Sequence, residues 1–205
     1  MKALTWLYAL SFLSPSGKVF NFDTCQIGQA PPGWTIESPG TAAGWQIRRD
    51  RTAPTPPYVL AETSADPARV PLAILNGLTT RDADVSVRLK PIFGRAGLAG
   101  GVVFRYRDQN NYYVARANAT ENTVSVLKVE NGRKIPLFTD VKHPIPANSW
   151  SILKVSVRGS RFQVFVDHRR VLEGRDGTFS GAGRVGLWAM GDSTVYFDDF
   201  RVYPK

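Results

Sequence analysis

The sequence predicts an all-β fold, a sandwich of many short antiparallel strands, and three observations carry that prediction. Apolar and polar residues alternate with period two in several windows, the signature of strands with one dry face and one wet face. No window places apolar residues at i, i+3, i+4 and i+7 over three turns, so no helix is expected in the mature chain. The 18 Gly and 14 Pro of the 205 residues fall between the alternating windows, where turns belong. About a dozen strands follow from these signals, and their short connections exclude a strictly parallel sheet. No internal repeat of fixed period is present, which disfavours propellers and solenoids.

In chain order, Met1-Lys2 gives a short positive start. Residues 3–13 are apolar but too few to span a bilayer, which takes about 20 residues. Ser14 and Ser16 follow at a −3/−1 spacing, the layout of a secretory signal peptide cleaved after Ser16. Pro15 and the lack of Ala-x-Ala keep open a first buried strand as the alternative. On the signal-peptide reading, residues 17–205 form one domain, and the protein is periplasmic or secreted. The single Cys25 allows no internal disulfide and is expected to pack as a small hydrophobe. Export without disulfides fits a bacterial compartment.

Residues 19–22 read as the first mature strand, with a loop through Trp34 and a short strand at Trp45-Gln46-Ile47. Pro54, Pro56 and Pro57 stiffen the approach to a strand at 58–61, and a second Pro-containing loop leads to 72–75. In 82–91, Val85, Val87 and Leu89 alternate with Ser86, Arg88 and Lys90. Gly94, Gly97, Gly100 and Gly101 turn the chain into a hairpin closed by Asp108-Gln109-Asn110-Asn111. Strands at 123–129 and 133–137 flank Asn131-Gly132, a strong two-residue turn signal because both positions must accept positive φ. Pairing Arg158 with Arg161 across Gly159-Ser160 puts Leu153, Val155, Val157, Phe162, Val164 and Val166 on one face. A one-residue slip would send all six to water, so this register is well specified. Strands at 183–189 and 194–203 close the domain.

The composition, 43% hydrophobic and 11% aromatic over 205 residues, suits one globular domain. The formal charge is +9, from 26 basic and 17 acidic residues. The basic residues are spread over strands and turns, with only Arg48-Arg49-Asp50-Arg51 and His168-Arg169-Arg170 clustered. There is neither a Lys/Arg tract nor a helix to enter a groove, so nucleic acid is not expected as a partner.

The stretch 101–117, the Asn131-Gly132 hairpin, residues 150–167 and the terminal Val-Tyr-Phe-Asp-Asp-Phe-Arg-Val at 195–202 resemble the concanavalin A-like lectin/glucanase superfamily. Gly183 and Gly186 leading into Leu187-Trp188 belong to the same pattern. Within it the chain is similar to laminin-G-like jelly rolls and to the bacterial domains once called DUF1080, linked to 3-keto-disaccharide hydrolysis. The resemblance covers residues 80–205 well and 17–80 loosely. It implies a two-sheet antiparallel jelly roll with a curved, sugar-binding outer sheet, in an architecture that hosts lectins, binding modules and enzymes alike. Similar jelly rolls often hold structural Ca²⁺ between the first and last strands, which makes Asp23 with Asp198 or Asp199 the set to check.

Catalysis finds little support. Retaining glucanases of this superfamily use Glu-x-Asp-x-x-Glu, which sets two carboxylates on one face about 5 Å apart. The glutamates Glu37, Glu62, Glu121, Glu130 and Glu173 are all isolated. Asp198-Asp199 are neighbours on one strand and so point to opposite faces. Neither His143 nor His168 sits at a metal-ligand spacing. No catalytic residue, cofactor or metal is therefore assigned. Binding is the better reading: aromatic faces stack on sugar C–H bonds, and planar polar groups bond paired hydroxyls. With a four-residue loop at 108–111, Arg107 pairs with Tyr112, Arg105 with Val114 and Val103 with Arg116. That leaves Val102, Phe104, Tyr106, Tyr113, Ala115 and Ala117 facing the core, and Arg105, Tyr112 and Arg116 facing out. Arg184, Trp188 and Asp167 also fall on outward positions. These six residues form the expected platform for an oligosaccharide or polysaccharide. Each of them taken singly also fits an ordinary structural role. The alternatives are a hydrolase or lyase using Asp167, His168, Arg105 and Arg116, and a protein-interaction module.

Overall fold

Alternation in the sequence becomes sixteen strands and no helix among the described residues, which are 17–37, 44–64 and 66–205 of the computed structural model. The apolar run at 3–13 and the Ser16 cleavage site lie outside them. The strands are β1 (Lys18–Phe20), β2 (Trp34–Glu37), β3 (Gln46–Arg49), β4 (Tyr58–Glu62), β5 (Leu72–Leu75), β6 (Ala83–Phe93), β7 (Ala99–Asp108) and β8 (Asn111–Asn118). They continue as β9 (Thr123–Glu130), β10 (Arg133–Pro136), β11 (Val141–Lys142), β12 (Ser151–Arg158), β13 (Arg161–Val166), β14 (Arg169–Arg175), β15 (Arg184–Ala189) and β16 (Thr194–Pro204). Sheet I runs β14-β13-β12-β6-β16-β4-β3, with β1 on β16. Sheet II runs β10-β9-β8-β7-β15-β5-β2, with β11 on β9. Every ladder is antiparallel.

The β12–β13 hairpin pairs Arg158 with Arg161, Val157 with Phe162 and Leu153 with Val166, as its alternation dictates. Its six inward side chains lie in the core between the sheets, against Phe104, Tyr113 and Ala115 of sheet II. Their burial is worth on the order of 10 kcal/mol gross. Two strands depart from the sequence reading. β2 falls where a loop through Trp34 was expected, because four residues of alternation are too few to register. β14 has no counterpart in the sequence reading, since Leu172 is its only buried residue and four of its seven residues are charged. A charged edge of this kind blunts edge-to-edge association.

The β7–β8 hairpin corrects the expected ladder. Asp108 opposes Asn111, in the predicted register, but Phe104 opposes Tyr113 and Val103 opposes Val114. The ladder slips by two residues at an irregularity on β7, where Arg105 adopts a left-handed φ of 49°. As a result Tyr106 turns to the outer face of sheet II, and Arg105 turns to the inner side beside Phe162.

Candidate functional site

Sheets of a sandwich usually present polar residues to water on their outer faces. Sheet II does not. Leu72 and Ile74 of β5, Trp188 of β15, Val103 and Tyr106 of β7, Tyr112 and Val114 of β8, and Leu127 and Val129 of β9 form a second apolar cluster behind the main core. Over part of this floor opens a cavity of about 250 Å³, with Leu72, Tyr112 and Val129 at its base. Its polar wall is built by Glu37, Gln109, Asn110 and Lys134.

Local chemistry fixes that wall. Asp108 accepts the backbone N–H of Asn110 at 2.8 Å, a side-chain-to-backbone bond that sets the β7–β8 turn. The β9–β10 turn docks onto it: the Gly132 N–H donates to the Asn110 carbonyl at 3.0 Å, and the Asn131 N–H to Asn111 Oδ1 at 3.1 Å. Gly132 needs its positive φ of 77°, which glycine supplies without strain. On the opposite wall, Glu37 accepts a short hydrogen bond from the Tyr106 hydroxyl. The Arg184 guanidinium lies 4.9 Å over the Tyr106 ring and 3.8 Å from Glu37 Oε1, and donates to Asn76 Oδ1 at 3.4 Å. Burial, then the Glu37 carboxylate, pushes the Tyr106 hydroxyl well above its usual range, so it stays a proton donor. Tyr112 is raised the same way, by burial and then by Glu37. The result is a carboxylate held in place beside an apolar floor.

The structure brings together three of the six expected residues around this floor. Tyr112 lies at the base of the cavity, Arg184 stands behind Glu37, and Trp188 pairs with Leu72. Trp188 faces out as expected but is only 4% exposed, with Val70 and Met190 packed against its cluster, so it is a floor and not a stacking platform. Arg116 shares the face but lies four residues along β8 from Tyr112, about 13 Å at the usual strand rise. It is tied to Ser125 Oγ at 3.1 Å and Asp140 at 3.2 Å. The other two placements are corrected. Arg105 is buried, donating to the carbonyls of Arg81, Phe179 and Gly159 and pairing with Asp82 at 3.3 Å. Asp167 belongs to the β13–β14 turn on sheet I and accepts the Ile152 N–H at 2.8 Å, a purely local bond. The set weighed for hydrolysis, Arg105, Arg116, Asp167 and His168, is therefore dispersed over three parts of the molecule.

The carboxylates considered for calcium are each engaged elsewhere. Asp23 accepts the Tyr58 N–H at 3.2 Å, Asp198 accepts from Thr55 and the Asp199 N–H, and Asp199 pairs with Arg88 and Arg201. Among the described residues no group of three or more metal-type side chains converges. Sequence reasoning missed Glu37, Asn110 and Lys134. Glu37 looked like an isolated acid in a loop, and only the β2–β5–β15–β7 adjacency brings it to Tyr106.

No protein-family profile matches the chain. Over 121 residues, 58% of its length, it is 31% identical to a levanase of Bacillus subtilis (strain 168), and the match spans only 17% of that enzyme. Among solved structures, the carbohydrate-binding module CBM66 from Bacillus subtilis superposes with a TM-score of 0.64 at 25% identity, over 82% of this chain and 94% of that module. Domain 4 of AbnA, a GH43 extracellular arabinanase from Geobacillus stearothermophilus in complex with arabinotriose, superposes with a TM-score of 0.62 at 15% identity, over 92% of this chain and 93% of that domain. The latter likeness is one of fold. The chain folds as an all-β, two-sheet antiparallel jelly roll, similar over most of its length to a carbohydrate-binding module.

Proposed function

We propose that the chain is a non-catalytic carbohydrate-binding module that seats an oligosaccharide on the outer face of sheet II, in the cavity walled by Glu37 and Lys134. One observation carries the reading: an apolar floor of Leu72, Tyr112 and Val129 meets a rim of carboxylate, amide and ammonium groups. A sugar ring offers the same pairing, C–H faces for the floor and hydroxyls for the rim. Glu37 accepts from hydroxyls while Asn110 and Lys134 donate to them. The likeness to CBM66 and to an arabinanase domain in complex with arabinotriose supports this and names the first ligands to try. Residues 1–16, acting as a signal peptide, would deliver the domain outside the cytoplasm, where such polymers are met.

The test is calorimetric titration of the full chain with levan-derived fructo-oligosaccharides and with arabinotriose. Glu37→Gln removes a charged acceptor yet keeps an oxygen for Tyr106, and Lys134→Ala removes an exposed donor. Each is expected to weaken binding roughly tenfold or more, since hydrogen bonds to charged groups are worth about 1.5–3 kcal/mol, with the melting temperature unchanged. Binding that neither variant alters would place the ligand elsewhere. The second reading is the 3-keto-disaccharide hydrolysis linked to DUF1080 domains; release of sugar from a 3-keto-glycoside by the wild-type chain would favour it.

A further inference from the structure

The opposite sheet carries a second built cavity that the proposed sugar site does not use. It lies on the outer face of sheet I, measures about 150 Å³, and is lined by Ser86, Arg88, Ile152, His168, Asp199 and Arg201. At roughly 30 Å³ per water it has room for about five waters, or for one charged substituent with part of its ring.

Its construction follows from a defect in the strand pairing. β16 is irregular between Asp198 and Arg201, and Asp199 sits there with a left-handed φ of 50°. The bulge re-aims Asp199, whose side chain is 5% exposed, so that Oδ2 stands 3.2 Å from Arg88 Nε and 3.3 Å from Arg201 Nη2. One buried carboxylate thus anchors two guanidinium groups. Both arginines keep 40% of their side chains exposed, and beyond Asp199 neither guanidinium has a partner among the described residues. The remaining N–H groups of these planar forks are free to donate. His168 enters from the β13–β14 turn, which the Asp167–Ile152 bond fastens over β12. Ser86 lies in the same row as Lys154 on β12 and Arg201 on β16. Farther along the face Arg158 is paired with Asp84 and Arg161 with Glu173, and the whole chain carries +9.

A pair of arginines whose only role was to hold strands together would share their charge with equal numbers of carboxylates. Here both guanidinium groups pair directly with the same carboxylate, and their remaining N–H groups face a cavity. Pre-oriented guanidinium forks bind planar or tetrahedral oxyanions with paired N–H···O bonds. We propose that the Arg88–Asp199–Arg201 cavity is a second binding site, which takes an oxyanion carried on a sugar ring, either the carboxylate of a uronic acid or a sulfate ester. It is independent of the sheet II cavity and of the ligand bound there.

The experiment is a ¹⁵N NMR titration of the full chain with glucuronate, glucose 6-sulfate, glucose and inorganic sulfate. Either or both of the charged sugars should shift the amides of residues 86–88 and 199–201, and the stronger of the two names the group recognised. Glucose should leave those amides unmoved. Ser86→Asp places a carboxylate in the cavity and should weaken the charged sugars at least tenfold without lowering the melting temperature. Glu37→Gln should leave them unchanged, so that failure of this site and failure of the sheet II site are seen separately. Three results would overturn the proposal: inorganic sulfate binding as tightly as either sugar, shifts scattered over the basic surface, or a Ser86→Asp effect below twofold.

Discussion

Two carboxylates show how position decides what an acidic side chain does. Glu37 is fixed at the rim of an open cavity by the Tyr106 hydroxyl and the Arg184 guanidinium. Asp198 is fully buried, and its apolar surroundings raise its pKa to about 6 despite the hydrogen bonds from Thr55 and the Asp199 N–H. An ordinary aspartate titrates near 3.9. Below that pH Asp198 is protonated folded or unfolded, and its contribution to stability is fully present. As pH rises through about 6 the folded protein must ionise it at a cost, and that contribution is lost. The window therefore runs from about pH 4 to 6, and at about 1.4 kcal/mol per unit the loss is roughly 3 kcal/mol. Asp198→Asn is neutral throughout. Urea unfolding at stepped pH should show wild-type stability falling relative to this variant by roughly 2–3 kcal/mol between pH 4 and 7; a constant difference would mean that Asp198 ionises normally.

Among the elements, β7 decides the most. Its irregularity sends Arg105 inward to three carbonyls and Asp82, and Tyr106 outward to Glu37. Arg105→Ala should therefore cost about 3 kcal/mol or more in urea unfolding, the scale of breaking a buried, bonded charge. Sugar affinity of the protein that remains folded should not change. A loss of affinity without loss of stability would return Arg105 to the binding surface. The same strand marks how far sequence reaches. The β12–β13 hairpin is legible to the residue, because one register puts all six of Leu153, Val155, Val157, Phe162, Val164 and Val166 on one face and any slip exposes them. The β7–β8 hairpin was legible only near its turn. Nothing in Phe104-Arg105-Tyr106-Arg107 announces two extra residues, since Arg at positive φ leaves no compositional trace. Tyr112, Arg184 and Trp188 could be placed on the outer side from local alternation. Glu37 could not, because its role depends on β2 lying three strands from β7 in a sheet whose order skips through the chain.

At the scale of the whole molecule, sheet order explains why the residues of the proposed site are scattered in sequence. Sheet II gathers residue 37 from β2, 72 from β5, 112 from β8, 134 from β10 and 184 from β15 around one apolar face. Such distant pairing also buries enough surface for Cys25 to serve as an ordinary packing residue; burial, then Asp23, raises its thiol pKa and keeps it protonated. The two sheets differ in what they show to solvent. Sheet II backs its cavity with a buried apolar floor, and sheet I presents arginines and lysines interspersed with fewer acids. The two cavities therefore open in opposite directions, back to back across a core about 10 Å thick. If both proposed sites bind, they do so on opposite faces of the domain. Filled on both sides, it would bridge a neutral chain and an acidic polymer with the thickness of the sandwich between them, so that neither ligand displaces the other and the two weak grips multiply.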